Sequence, residues 1–129
     1  MSIETLYLWL AERDIMLVFA AEHTEYDDET EVIYLSSYDD ETEEYHSLLH
    51  EIGHYLIQTA DDYNVEYADK LRSKSPDEYV RGFLREEREA WRLGLELAEG
   101  MALPVDTAAY SALACECVEQ YAEAFRKVL

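Results

Sequence analysis

Residues 48–57 read LLHEIGHYLI, and two overlapping periodicities run through them. Leu48, Leu49, Ile52 and Leu56 recur at the spacing of one face of an α-helix. The preceding Ser-Tyr-Asp-Asp-Glu-Thr at 37–42 supplies turn and cap residues, which predicts a helix start near Asp39 to Thr42. His50 and His54 carry the second pattern. Positions i and i+4 lie about 40° apart around a helix, so both imidazoles reach one ion from successive turns. Glu51 stands about 100° from His50, beside that site without being forced to coordinate, which suits a base acting on a water the metal activates. Leu48, Ile52 and Leu56 fall on the opposite side and anchor the helix.

Outward from this helix the chain reads as one domain over residues 1–129, of α+β class and mostly helical. Ile3, Leu6 and Leu10 space out a first helix with Ser2 as its cap, and Leu8 and Trp9 broaden its apolar face. The apolar run 15–21 and the β-branched, aromatic run 31–37 predict strands, joined through the acidic connector 22–30 as a loose hairpin, or a small sheet, packed on the histidine-bearing helix. A short helix over 67–73 is suggested. Ser75-Pro76-Asp77 starts the next one, about 77–99, with Val80, Phe83, Leu84, Glu87, Ala90, Trp91, Gly94, Leu95 and Ala98 on one stripe and Gly100 closing it. Asp106 or Thr107 caps a last helix that ends near Val128.

A catalytic zinc needs three protein ligands and an open position. His46 lies one turn before His50, but ligands at i, i+4 and i+8 of a straight helix span about 12 Å of rise, too far for one ion. His23 falls in the acidic connector. A carboxylate from another helix answers better, and Glu87 is the acid on the apolar stripe of the next helix. Burying a carboxylate there is costly unless it is paired or metal-bound. Glu86 and Glu89 rotate toward the flanks and read as solvated charges, though either is an alternative ligand.

Thirty acidic and ten basic side chains give a net charge of −20. The excess is uneven: residues 1–65 hold 17 acids and one base, Arg13, for −16, and residues 66–129 hold 13 acids and nine bases, for −4. Such a field repels phosphate backbones, which disfavours direct nucleic-acid binding, and attracts a basic protein. Cys115 and Cys117 sit two apart on a helix, where side chains point away from each other, so they form no disulfide. There is no charged-then-apolar leader and no apolar run near 18 residues, so a cytoplasmic protein without a membrane span is expected.

LLHEIGHYLI at 48–57 followed by EREAWRLGLELAEGMALPVD at 87–106 resembles the ImmA/IrrE-type metallopeptidases of the gluzincin group, with their H-E-x-G-H helix and later E-x-E-A…LP segment. The resemblance covers roughly residues 31–106. It implies a small zincin-like domain, a Zn2+ ion held by His50, His54 and Glu87, and a peptidase that acts on a protein substrate with Glu51 as general base. Trp91 stands where the family often carries Asn or Asp supporting a ligand histidine. Helix-turn-helix and sensor domains of regulatory members have no counterpart here, so the chain is similar to the catalytic core alone, as in stand-alone phage or mobile-element members. Known targets in the family include basic DNA-binding repressors, which suits the −16 half. The other reading is a non-enzymatic acidic binder, a phage-borne inhibitor or DNA mimic whose metal is structural.

Overall fold

The computed structural model describes residues 2–36, 40–61, 63 and 75–128. Helix α1 (Ser2–Glu12) leads into strands β1 (Met16–Ala21), β2 (Glu25–Asp27) and β3 (Val32–Ser36). Helices α2 (Glu41–Gln58), α3 (Pro76–Gly100) and α4 (Thr107–Val128) follow. This is the mostly helical α+β arrangement expected. The side chain of Ser2 and the suggested helix over 67–73 lie outside the described residues. No described helix is long and apolar enough to cross a membrane.

Along α1, Leu6, Trp9 and Leu10 are buried, while Leu8 is 66% exposed. Leu8 was expected on the apolar face, yet it stands two residues from both Leu6 and Leu10, which places it on the far side of the helix. The Arg13 guanidinium lies 3.7 Å over the Trp9 ring and donates to the Trp9 carbonyl at 2.9 Å. Asp14, at φ 57°, takes the left-handed residue that ends the helix, and the Ile15 amide reaches back to the Leu10 carbonyl at 3.0 Å.

The sheet departs from the expected hairpin of 15–21 with 31–37. β1 and β3 run parallel, Leu17 opposite Ile33, and the strand order is β1-β3-β2. The hairpin is instead made by the connector: β2 pairs antiparallel with β3, Tyr26 opposite Ile33. Two local features explain why so acidic a stretch folds back. The Asp27 carboxylate accepts the amides of Glu29 at 3.0 Å and Thr30 at 3.4 Å, and Glu31 absorbs the turn at φ 55°. Between the charges Tyr26 faces inward, edge-to-face with Tyr55 of α2 at 5.8 Å. Tyr55 meets Trp9 of α1 in the same way at 5.9 Å, so one side chain of α2 joins the helix and the sheet.

Helix α2 begins at the predicted place, with Asp40 extended and its carboxylate accepting the Thr42 amide at 2.8 Å. From His46 to His54 every residue is buried. Leu48, Leu49 and Ile52 are wholly enclosed, each contributing roughly 1.5–3 kcal/mol of burial. The helix is therefore covered on all sides, by the sheet and α1 on one and by α3 and α4 on the other.

The α2–α3 contact is made by backbones. A Cβ on Gly53 would meet the Ala90 carbonyl oxygen at 1.9 Å, and one on Gly94 would meet the Leu49 carbonyl oxygen at 2.3 Å. Leu49 and Gly53 on one helix thus interlock with Ala90 and Gly94 on the other, each pair one turn apart. At its start α3 has Ser75 extended in the cap position and Pro76 in the first turn. Its end differs from expectation. Gly100 stays helical, and Ala102 takes the left-handed position at φ 56°, with the Leu103 amide bonded to the Ala98 carbonyl at 2.8 Å. Burial of Leu103 and Val105 against the core sets where the chain turns, one residue pair beyond the glycine. Asp106 then caps α4, its carboxylate accepting the Ala109 amide at 3.0 Å.

Gly53→Ala and Gly94→Ala each force the helices apart. Each is expected to cost about 2 kcal/mol or more in urea unfolding of the metal-free protein, at the upper end of overpacking substitutions. An exposed control, Gly100→Ala, meets nothing within 4 Å and should be neutral or stabilising.

Candidate metal centre

The helix crossing brings α2 and α3 together at five buried polar side chains, His50, Glu51 and His54 from α2 and Glu86 and Glu87 from α3. The Nε2 atoms of His50 and His54 face each other at 3.1 Å. Glu87 spans them, Oε2 lying 3.0 Å from His50 Nε2 and Oε1 3.0 Å from His54 Nε2. Two imidazole nitrogens and a carboxylate therefore converge on one point from two helices, the cluster His50, His54, Glu87. Ligand atoms on a tetrahedral zinc with bonds of about 2.0–2.1 Å stand about 3.3 Å apart. The observed spacings differ from that by a few tenths of an ångström, so the donor set fits zinc in both kind and separation.

Glu86 was expected at the solvated flank. It is 3% exposed, and its carboxylate receives His54 Nδ1 at 2.9 Å, the Tyr63 hydroxyl at 3.0 Å and Gln58 Nε2 at 3.3 Å. The close packing at Gly53 brings α2 over the edge of the α3 stripe, where His54 and Gln58 reach Glu86 and both histidines reach Glu87. Bonding at Nδ1 leaves Nε2 of His54 turned toward His50 and Glu87 and available to an ion, the arrangement that orients ligand histidines. Glu89 stays on the flank, held by Arg92 at 2.8 Å.

Trp91 stacks on the His50 ring, centroids 4.1 Å apart and planes 5° from parallel. The indole holds the imidazole plane by face-to-face contact. The Nδ1 edge of His50 faces Glu51, whose Oε2 lies 3.3 Å away. Glu51 is thus buried beside the cluster, on the edge of the imidazole opposite Nε2. His46 is turned elsewhere, edge-to-face with Tyr110 at 5.2 Å, and His23 is exposed.

Tyr55 belongs to the sheet side and Tyr63 is committed to Glu86. Tyr121 of α4 is 42% exposed, with its ring edge-to-face with Phe83 at 5.0 Å. Burial, then the carboxylates of Glu87 and Glu51, pushes its phenol up to about 12, so it keeps its proton and lies within electrostatic reach of both acids.

A match to the IrrE N-terminal-like domain, a peptidase family, spans residues 10–83, more than half of the 129 residues. The chain belongs to this family. The IrrE-like match contains His50, Glu51 and His54 but stops ahead of Glu86 and Glu87, so the α3 half of the cluster rests on geometry. No curated protein and no solved structure matches the chain.

The electrostatics of this IrrE-like centre are those of a cation site. Burial pulls both imidazoles toward the neutral form, but the carboxylates overcome it: Glu51 and Glu87 raise His50, and Glu86 and Glu87 raise His54 to about 10. Burial likewise pushes Glu87 up, and the two imidazoles outweigh that and hold it at about 2. Protons therefore occupy the site when metal does not. A raised histidine pKa contributes stability that is fully present below pH about 6.5 and lost as pH rises through about 10. Metal binding displaces those protons. Calorimetric zinc titrations at pH 7 in buffers of different ionisation enthalpy should show release of at least about one proton, the one held at His54. The thermal stabilisation by zinc should grow as pH is raised from about 6.5 toward 10. His50→Ala and Glu87→Ala should each lose stoichiometric zinc, and zinc retained without Glu87 would remove it from the ligand set.

Proposed function

We propose that the chain is a zinc-dependent peptidase in which His50, His54 and Glu87 hold the ion. The observation that carries this reading is the convergence of two Nε2 atoms and one carboxylate at 3.0–3.1 Å across the α2–α3 crossing. Zinc bound there supplies an electrophile that polarises a peptide carbonyl and lowers the pKa of a water.

The remaining roles fall to side chains of this chain. Glu51 and Glu86 are the buried carboxylates of the centre that engage no ligand Nε2; Glu86 is taken up by His54 Nδ1, Tyr63 and Gln58, which leaves Glu51, one residue from His50. It accepts the proton of the attacking water and delivers it to the leaving amine nitrogen. Glu86 holds His54 by Nδ1, and Trp91 holds the plane of His50. Tyr121, protonated across the neutral range, donates to the oxygen that gains negative charge as the carbonyl carbon becomes tetrahedral. The substrate is a protein, and the acidic N-terminal half favours a basic one such as a DNA-binding regulator.

Glu51→Gln tests the chemistry. It should keep stoichiometric zinc and lose hydrolysis of a denatured basic protein by at least about a hundredfold, the scale of general acid–base catalysis. Hydrolysis retained in this variant would sink the assigned base. A full biological effect retained without hydrolysis would favour the acidic-binder reading. Tyr121→Phe should lower kcat roughly tenfold to a hundredfold with little change in KM, because its contact strengthens only in the transition state.

A further inference from the structure

A second recessed region lies one turn along α2 from the ligand His50. It is a cavity of about 710 Å³ between the starts of α1 and α2 and the segment that joins α3 to α4. Ile3, Tyr7, Pro104 and Val105 give it apolar walls, and Glu41, Glu44 and Asp106 line it with carboxylates. His46 lines it too. That side chain is 2% exposed, and its contacts are the rings of Tyr45 and Tyr110. Its ring nitrogens hydrogen-bond to none of the described residues, which is unusual for an imidazole so enclosed. Burial outweighs Asp106 and Asp40 and keeps it below the usual histidine range. A neutral imidazole leaves one nitrogen able to accept a proton from a donor.

Three helix N-termini, those of α1, α2 and α4, adjoin this cavity, a setting that ordinarily favours anions. Two are already served from within, as Asp40 accepts the Thr42 amide of α2 and Asp106 accepts the Ala109 amide of α4, and α1 carries Glu4 in its first turn. Glu41, Glu43 and Glu44 in the first turn of α2 offset its positive end further. What remains is acceptors over apolar walls with no basic side chain among the lining residues. A group with several N–H donors, a positive charge and an apolar stem complements it, and Arg and Lys side chains have that form. The cavity lies in the usual range for ligand sites and exceeds what one side chain fills, so it admits flanking backbone.

We propose that this cavity is a recognition site for a basic side chain, arginine above all, presented on a polypeptide, with Glu41, Glu44 and Asp106 countering the charge and His46 accepting a hydrogen bond. The site is distinct from the His50–His54–Glu87 cluster, and its binding stands or falls without peptide hydrolysis.

The test compares N-acetyl-arginine N-methylamide with its citrulline counterpart, which has nearly the same shape and no charge, by titration into the full chain followed through the His46 ring and Val105 amide resonances. The arginine probe should bind at least about tenfold tighter, shift both sets of resonances, and lose its advantage as salt is added. The variant Glu41→Gln, Glu44→Gln, Asp106→Asn should bind both probes equally, and Asn at 106 preserves the α4 cap. Neutralising three exposed acids elsewhere, Glu12, Glu29 and Glu116, should leave the preference intact. Equal binding of the two probes by the parent, a preference that survives the triple variant, or one lost equally in the control would each overturn the proposal. The salt dependence needs no variant, so poor folding of a mutant leaves the test standing.

Discussion

Everything at the centre depends on how closely α2 and α3 approach. Helices separated by ordinary side chains stand 8–10 Å apart. Gly53 and Gly94 remove the two side chains that would enforce such a gap, and each helix presses a carbonyl into the space, Ala90 against Gly53 and Leu49 against Gly94. One residue on from Leu49 and Gly53, on the adjoining strip of α2, lie His50 and His54. Beside Ala90–Gly94 on α3 lie Glu86, Glu87 and Trp91. The glycines thus set the separation at which a glutamate carboxylate spans two imidazoles at 3.0 Å. An extra methyl at either glycine would widen the triangle of donors as well as cost packing energy.

That closeness also explains how so many ionisable groups tolerate burial. Five polar side chains at or below 8% exposure would be prohibitive as isolated charges. Here they alternate in sign along a chain of contacts: Glu51 to His50, His50 to Glu87, Glu87 to His54, and His54 to Glu86. Three carboxylates surround two imidazoles, and a divalent cation that takes the place of two ring protons leaves the charge of the cluster unchanged. Trp91 closes one face of His50. Its Nε1 has no hydrogen-bond partner among the described residues, a penalty of about 1–3 kcal/mol. Burial of a large indole against a ring 4.1 Å away offsets that penalty.

What could be read in the sequence was what the chain specifies locally. The chelating pair needs only helical geometry at i and i+4, and Asp40 and Asp106 cap their helices through neighbours two and three residues on. Glu87 was legible because one carboxylate interrupts an apolar stripe. Glu86 was not, because its burial is decided by Gly53, Gln58 and Tyr63, which arrive from elsewhere in the chain. The sheet was misjudged for a related reason. Pairing partners are non-local, and the charges of 22–31 hid a three-residue strand whose single inward side chain is Tyr26. Ala102 in a left-handed conformation, two residues after an available glycine, shows tertiary packing overriding local preference.

The acid excess of the first half takes on a more specific meaning beside this architecture. Within 41–54, α2 carries Glu41, Glu43 and Glu44 at its exposed start and Glu51 in its enclosed middle. Carboxylates at the start favour the positive end of the helix and face water, at little cost. The one in the middle is sustained by its imidazole partner. The same helix therefore grades from solvated negative charge to a compensated buried cluster, and the cavity beside His46 lies where the two meet. A basic polypeptide approaching this face would meet long-range attraction first and the metal cluster only one turn farther along the helix. Attraction of this kind raises encounter rates and selects partners by charge.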